Sequence, residues 1–200
     1  NIIDATKKLS GNIKKTPIVN ASKLSDKLGC DLYLKLESLQ LTSSFKRRSS
    51  FIAIKKICEK NPGKGVVAMS AGNHAQGVSL AANKLGISST IVMPNTTPRV
   101  KVEAVKQLGS KIIISGDSYS DAYEYAMQVG NKEELVFIHP FDDEKIIEGQ
   151  ATVGLEILEQ TNEPIDYVFV PVGGGGLSSG LSSYFKQVSP NTKIIGVEPE

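Results

Sequence analysis

A chain of 200 residues can bury one sizeable core or two small ones, and 40% apolar content with both charge signs interspersed describes a soluble globular protein. A formal charge of +2, with lysines spread along the whole length, argues against nucleic acid as a partner. No apolar run reaches bilayer-spanning length and the first residues lack the charged-then-apolar order of a secretory signal, so no membrane contact and a cytoplasmic location are expected.

Ile2, Leu9 and Ile13 recur on one helical face over residues 1–13, and Thr16-Pro17 ends that run. Asn20 is a candidate cap for a short helix to Leu28, stopped at Gly29, and residues 31–36 alternate like a strand. Next comes Leu41-Thr42-Ser43-Ser44-Phe45-Lys46-Arg47-Arg48-Ser49-Ser50. Its polar turn runs into Phe51, Ile54 and Cys58 at core spacing, which places Lys46 at the opening of a helix that Asn61-Pro62-Gly63 closes.

From Gly65 the pattern is regular. Residues 66–69, 90–93 and 111–114 read as strands, too short to alternate and apolar enough to be buried on both faces. Between them lie helices with Ala75, Val78, Ala82 and Leu85 on one stripe and Val102, Val105 and Leu108 on the next. A third helix, over residues 118–129, carries Ala122, Ala126 and Val129, and residues 135–138 supply a fourth strand. Alternation of this kind predicts βαβ units and a parallel sheet, hence an α/β fold.

After residues 139–143 a helical stripe returns with Ile147, Ala151, Leu155 and Leu158, and Asn162-Glu163-Pro164 stops it. Residues 167–172 read as a buried strand, 177–187 as a helix with Leu181 and Tyr184 inward, and 193–197 as a last strand. A parallel strand normally needs a covering helix after it, so the chain is expected to be one part of a longer protein, truncated at the C-terminus.

Gly173, Gly174, Gly175 and Gly176 follow one predicted strand and open a helix. Four glycines clear the turn of side chains and let backbone N–H groups converge on an anion, phosphate being the natural guest. The dinucleotide fingerprint GxGxxG fails here, since Ser178 and Ser179 stand where its last glycine would be. Glu198 nevertheless lies where a ribose-binding acid would, so a Rossmann-like nucleotide-binding module stays open. Ser70-Ala71-Gly72-Asn73-His74 makes a second strand-to-helix turn able to receive a carboxylate. Cys30 and Cys58 form no CxxC and read as reduced, packed thiols, while His74 and His139 stand too far apart to suggest a metal site.

Taken together, Ser44-Phe45-Lys46 with Arg48, Ser70-Ala71-Gly72-Asn73-His74-Ala75-Gln76-Gly77, Val92-Met93-Pro94, His139-Pro140-Phe141-Asp142-Asp143 and Pro171-Val172-Gly173-Gly174-Gly175-Gly176 resemble the threonine and serine dehydratases among the fold-type II pyridoxal-phosphate enzymes. Serine racemase is a close relative of these. The resemblance implies two open parallel-sheet domains of the tryptophan-synthase-β-like type: a large one from residues 1–60 with 144–200, and a small one from 61–143. It also implies that Lys46 holds pyridoxal 5′-phosphate covalently, that Phe45 packs by its ring and that Asn73 bonds its phenolic oxygen. Gly173, Gly174, Gly175 and Gly176, with Leu177, would bind the phosphate. Ser70, Ala71, Gly72, Asn73 and His74 would hold the carboxylate of an amino-acid substrate. The implied reaction is β-elimination, in a homodimer or homotetramer, and Glu198 matches a metal-ligand position of some relatives.

A lysine that attacks an aldehyde must be neutral; burial or nearby positive charge favours that form, and Arg47 and Arg48 are candidates for the second effect. The chain departs from the family pattern at Ser43, Ser49 and Ser50, where Gly, Gly and Ala are usual, and at Ala151, where Gly is common. Ala71 stands where the racemases carry a serine as second acid/base. The family's partner for the pyridine nitrogen has no counterpart within these residues.

Overall fold

Short apolar runs separated by glycine-bearing turns set the architecture of the computed structural model, which describes residues 1–199. Helix α1 (Ile2–Leu9), strand β1 (Ile18–Asn20), helix α2 (Ser22–Leu28), strand β2 (Tyr33–Lys35) and one 3-10 turn (Glu37–Leu39) lead to α3 (Lys46–Lys60). Then come β3 (Val66–Met69), α4 (Asn73–Lys84), β4 (Ser89–Met93), α5 (Arg99–Gln107), β5 (Lys111–Ile114), α6 (Tyr119–Lys132) and β6 (Val136–Phe137). Helix α7 (Glu144–Gln160), β7 (Tyr167–Pro171), α8 (Gly176–Val188) and β8 (Lys193–Val197) complete the order.

Strands β5-β4-β3-β6 form one parallel sheet in that spatial order, with Val67 opposite Thr90 and Phe137. Ile54, Ala75, Val78 and Ile91 pack on one of its faces and Ala122, Ala126 and Val129 of α6 on the other. This double cover explains why β3 and β4 are buried along their whole length. At the edge, β5 leaves Ile114 45% exposed, so the expectation of burial on both faces fails there.

β7 and β8 pair parallel in a separate sheet. The expected burial of β7 holds on one face only: Val168 and Val170 pack against Leu181 and Phe185 of α8, whereas Tyr167 and Phe169 are exposed. The prediction of parallel sheets does not extend to β1 and β2, which pair antiparallel. Asn20 is occupied in that ladder opposite Tyr33, so it does not cap α2, which begins without a side-chain cap. The first helix stops at Leu9, short of the predicted Ile13, as the chain turns through Gly11 at φ +71°. Tyr184 is half-buried, and of the two free thiols only Cys58 is partly packed; Cys30 is exposed.

α3 lies between α4 and α7, and the approach is close enough to involve backbone. A Cβ at Gly149 would sit 2.5 Å from the Ser49 Cα, and one at Gly77 would sit 2.8 Å from the Ser50 hydroxyl. Serines are tolerated at 49 and 50 because the neighbouring helices present glycines to them. Gly180 of α8 does the same for Ala151, whose nitrogen lies 2.8 Å from the place its Cβ would take. Helix α7 is therefore buried nearly all round. Ile146, Gly149, Gln150, Val153 and Glu156 lie deeper than the predicted stripe members Ile147, Leu155 and Leu158.

Ser43 is held at φ 52°, in the left-handed region that favours glycine. Ser43→Gly is therefore expected to raise stability by about 1 kcal/mol, less any entropy regained by the unfolded chain. Urea denaturation of the two chains side by side measures it.

Candidate active site

Lys46 opens α3 after a turn in which Thr42 and Ser44 are buried, and Ser44 Oγ accepts the Lys46 N–H at 3.2 Å. Its side chain is half-buried, and Nζ donates to the Pro140 carbonyl at 2.6 Å. Burial alone holds the amine below the ordinary lysine range, which favours the neutral, nucleophilic form.

The expected help from Arg47 and Arg48 is not there. Arg48 is locked between Glu37 and Glu156, and Arg47 lies over the Phe51 ring with a long hydrogen bond to the Asn12 carbonyl. Residues one and two positions along a helix point to different sides of it, so neither guanidinium shares the direction of Lys46. Arg47 is itself fully buried without a carboxylate partner among the described residues, and burial lowers its pKa to about 10.

Residues 138–141 form a strap leaving β6, and three helix openings meet it. From α3 comes the Lys46 amine. From α4, the His74 ring places Nε2 3.1 Å from the Ile138 carbonyl, so the proton sits on Nε2. Burial drives the pKa of this imidazole down to about 3 and keeps it neutral. Nε2 of His74 is thus committed to the strap, while Nδ1 is buried without a hydrogen-bond partner among the described residues and, lacking a proton, has none to give an anion, a task left to the backbone of that residue. From α8, Gly174 lies flat against the Phe141 ring, where any Cβ would overlap it, and a Cβ at Gly176 would sit 3.1 Å from the Phe141 carbonyl.

Helices α4 and α8 start from Gly72 and Gly175, which bring no side-chain cap. Their leading N–H groups have no intrahelical acceptor, and the dipoles add positive potential, the setting for an anion. Gly175 adopts φ +83°, and nothing lies within 4 Å of a Cβ built on Gly173. Ser70 Oγ accepts the Gly72 N–H at 3.1 Å, which leaves the hydroxyl proton free to donate. Asn73 is exposed at the first position of α4, with Ala71 half-buried before it. Phe45 and Leu177 pack into one apolar cluster with Val170 and Leu181, and the Phe45 centroid is 5.7 Å from Lys46 Nζ.

The folded chain thus brings Lys46, Phe45, His74 and residues 174–177 around one strap. Glu198 is exposed just beyond the end of β8, and the described residues contain no group of three or more His, Cys, Asp and Glu that could hold a metal. Three participants escaped the sequence reading. Besides the Pro140 carbonyl and the His139 ring, they include Gln150, whose amide donates to Ser49 Oγ at 2.7 Å beneath the start of α3. A backbone acceptor leaves no mark in sequence, and a lone glutamine on a helix is ordinarily a surface residue.

A sequence profile described as pyridoxal-phosphate dependent enzyme matches residues 9–200. Over its whole length the chain is 45% identical to the biosynthetic L-threonine dehydratase of Halalkalibacterium halodurans, of which it covers 49%. It superposes on the processed threonine deaminase isoform 2 of Solanum lycopersicum with a TM-score of 0.93 at 43% identity, covering 99% of this chain and 55% of that one. With maize serine racemase the TM-score is 0.95 at 37% identity, over 100% and 60% of the two chains. The chain spans between 30% and 50% of the length of curated relatives such as these. One collinear match takes in the lysine, the α4 turn and the tetraglycine loop, and it places this chain in the family of pyridoxal-phosphate dependent enzymes, with pyridoxal 5′-phosphate as its cofactor.

Proposed function

We propose that Lys46 carries the cofactor and that the complete protein dehydrates L-threonine, and L-serine, to an enamine whose hydrolysis takes the water back and releases ammonia, leaving 2-oxobutyrate or pyruvate. The observation that carries this reading is the desolvated Lys46 amine, bonded to the strap where the openings of α3, α4 and α8 meet.

The residues present fit the group. A neutral amine suits condensation with an aldehyde, and the glycines at 173–176 leave backbone N–H groups at a helix start for a phosphate. In this assignment Phe45 packs by the ring, Asn73 bonds its phenolic oxygen, and Gly173, Gly174, Gly175, Gly176 and Leu177 hold the phosphate. When bound, the cofactor supplies an electron sink for the bonding pair at the substrate Cα. Lys46 takes the proton released there. The backbone of Ser70, Ala71, Gly72, Asn73 and His74 holds the substrate carboxylate, helped by the free Ser70 proton.

Racemisation is the second reading, favoured by the likeness to serine racemase. Ala71 weighs against it, because a second proton donor on the opposite face of Cα needs a side chain that has a proton. Turnover of L-threonine and L-serine by the full-length gene product decides between them. Release of 2-oxo acid and ammonia is expected, whereas D-serine without 2-oxo acid, or no turnover, contradicts it.

A small domain over 61–143 beside a large one from 1–60 and 144–200 is part of the same proposal, supported by the four-stranded sheet lying wholly within the first span. Assembly as a homodimer or homotetramer and a cytoplasmic location rest on the resemblance. No helix among the described residues is long and apolar enough to cross a membrane.

A further inference from the structure

The strap is anchored at both ends by groups that have no freedom to let go. At one end Ile138 donates its N–H to the Val67 carbonyl at 2.8 Å and its own carbonyl meets the buried His74 ring. At the other, the Asp143 carboxylate caps α7 by accepting the Lys145 N–H at 2.7 Å. Between these anchors, residues 139–142 carry the two contacts that matter to the lysine and the glycine loop: the Pro140 carbonyl on Nζ, and the Phe141 ring on Gly174.

What shapes that middle span is the His139 ring. Its Nδ1 accepts the Asp142 N–H at 2.7 Å and the Phe141 N–H at 3.3 Å. Two donors on one ring nitrogen require it to be bare, with the proton on Nε2. The ring also stands edge-on to Phe141 at 4.8 Å, in a row that continues to Phe137 and Tyr123. Packing alone does not fix this turn, because a cavity of about 110 Å³ lies beside it, lined by Ala53, Ile57, Phe137, His139, Asp143 and Ile146. The turn has room to relax, and the hydrogen bonds to Nδ1 hold it closed.

We propose that His139 is a positioning residue: by accepting the Phe141 and Asp142 N–H groups it holds the Pro140 carbonyl on the Lys46 amine and the Phe141 ring on Gly174, and so sets the lysine for capture of the cofactor. This rests on the assignment of Lys46 as the cofactor lysine. Asparagine hangs an acceptor oxygen the same number of bonds from Cβ as Nδ1, glutamine hangs it one bond further out, and leucine has none.

The test compares His139→Asn, His139→Gln and His139→Leu in the full-length, cofactor-free gene product. The readouts are hydrogen exchange of the peptide holding residues 141–142, affinity for pyridoxal 5′-phosphate, and borohydride labelling of Lys46. His139→Leu is expected to exchange about 10-fold faster and to bind about 10-fold more weakly, the loss of one tightly held hydrogen-bonded turn. His139→Asn is expected to stay within about threefold of the parent in both. If the leucine chain does not fold, the asparagine and glutamine chains decide, with only the asparagine chain expected to bind normally. Equal affinity in the parent and His139→Leu, or in His139→Asn and His139→Gln, overturns the proposal. A parent chain that takes no label at Lys46 overturns the cofactor reading beneath it, so the two failures are told apart.

Discussion

Replacing Lys46 with alanine is expected to abolish covalent capture of pyridoxal 5′-phosphate and to weaken its binding at least about 100-fold, or ~2.8 kcal/mol. The change removes the desolvated amine that donates to the Pro140 carbonyl, while Phe45, Asn73 and the glycine loop stay in place. An absorbance titration with the cofactor measures the loss, and an unchanged spectrum and affinity in Lys46→Ala would remove the assignment. The variant folds if the rest of the account holds, because the Lys46 side chain contributes one hydrogen bond to a backbone carbonyl and sits half-buried at a helix start.

Arg48→Met is expected to cost about 3–5 kcal/mol of folding stability, through a different mechanism. The guanidinium is fully buried and grips both oxygens of Glu37 and both of Glu156 at 2.7 to 2.8 Å. Lys35 Nζ joins the same group at 2.6 Å from Glu156, so two cations meet two carboxylates. Removing Arg48 leaves two carboxylates to share the single Lys35 cation, so one negative charge of this buried group goes uncompensated. Desolvation pushes the Glu156 carboxyl up, yet Arg48 and Lys35 outweigh it and hold the group below its ordinary 4.5. A depressed carboxyl stabilises the fold above about pH 4.5, and that contribution fades as the pH falls through the folded value. In Arg48→Met, acid instead relieves the stranded charge, so the gap between the two chains narrows on acidification. Urea midpoints at neutral pH and near pH 4 check the cost and its sign.

Much of the fold was legible because its strands are short apolar runs between glycine-bearing turns; β3, β5 and β8 begin and end where the residues predicted. What the pattern could not carry was which faces are covered. Ile114, Tyr167 and Phe169 look like core residues in sequence and stand at an edge or an open face in the fold, since an apolar run reads the same either way. Helix α7 misled in the opposite direction. Gly149, Gln150 and Gly154 add nothing to an apolar stripe, yet they are buried: Gly149 lies against the Ser49 backbone, Gly154 against the Leu181, Tyr184 and Phe185 side chains, and the Gln150 amide donates to Ser49 Oγ.

At the candidate site, the sequence singled out Lys46, the α4 turn and the tetraglycine loop together, through order and resemblance more than through any single motif, and the fold sets Lys46, His74 and Gly174 against one strap. Arg47 and Arg48 were misread because adjacency in sequence was taken for adjacency in space, whereas a helix sends successive side chains apart. His74 was read as part of the substrate-binding turn, and the fold adds a contact for its ring that the sequence did not announce, Nε2 to the Ile138 carbonyl. The Pro140 carbonyl was invisible for a plainer reason: a backbone oxygen is present at every position, and only the fold decides which one meets an amine. The His139 ring was visible as a residue, but nothing in the sequence says that its Nδ1 accepts the N–H groups of the turn that follows it.

Incubation of the protein with pyridoxal 5′-phosphate, borohydride reduction and peptide mapping tests the central claim most directly. The account predicts a single pyridoxyl label, on the peptide that contains Lys46. Label scattered over the exposed lysines, with the Lys46 peptide unmodified, would contradict it.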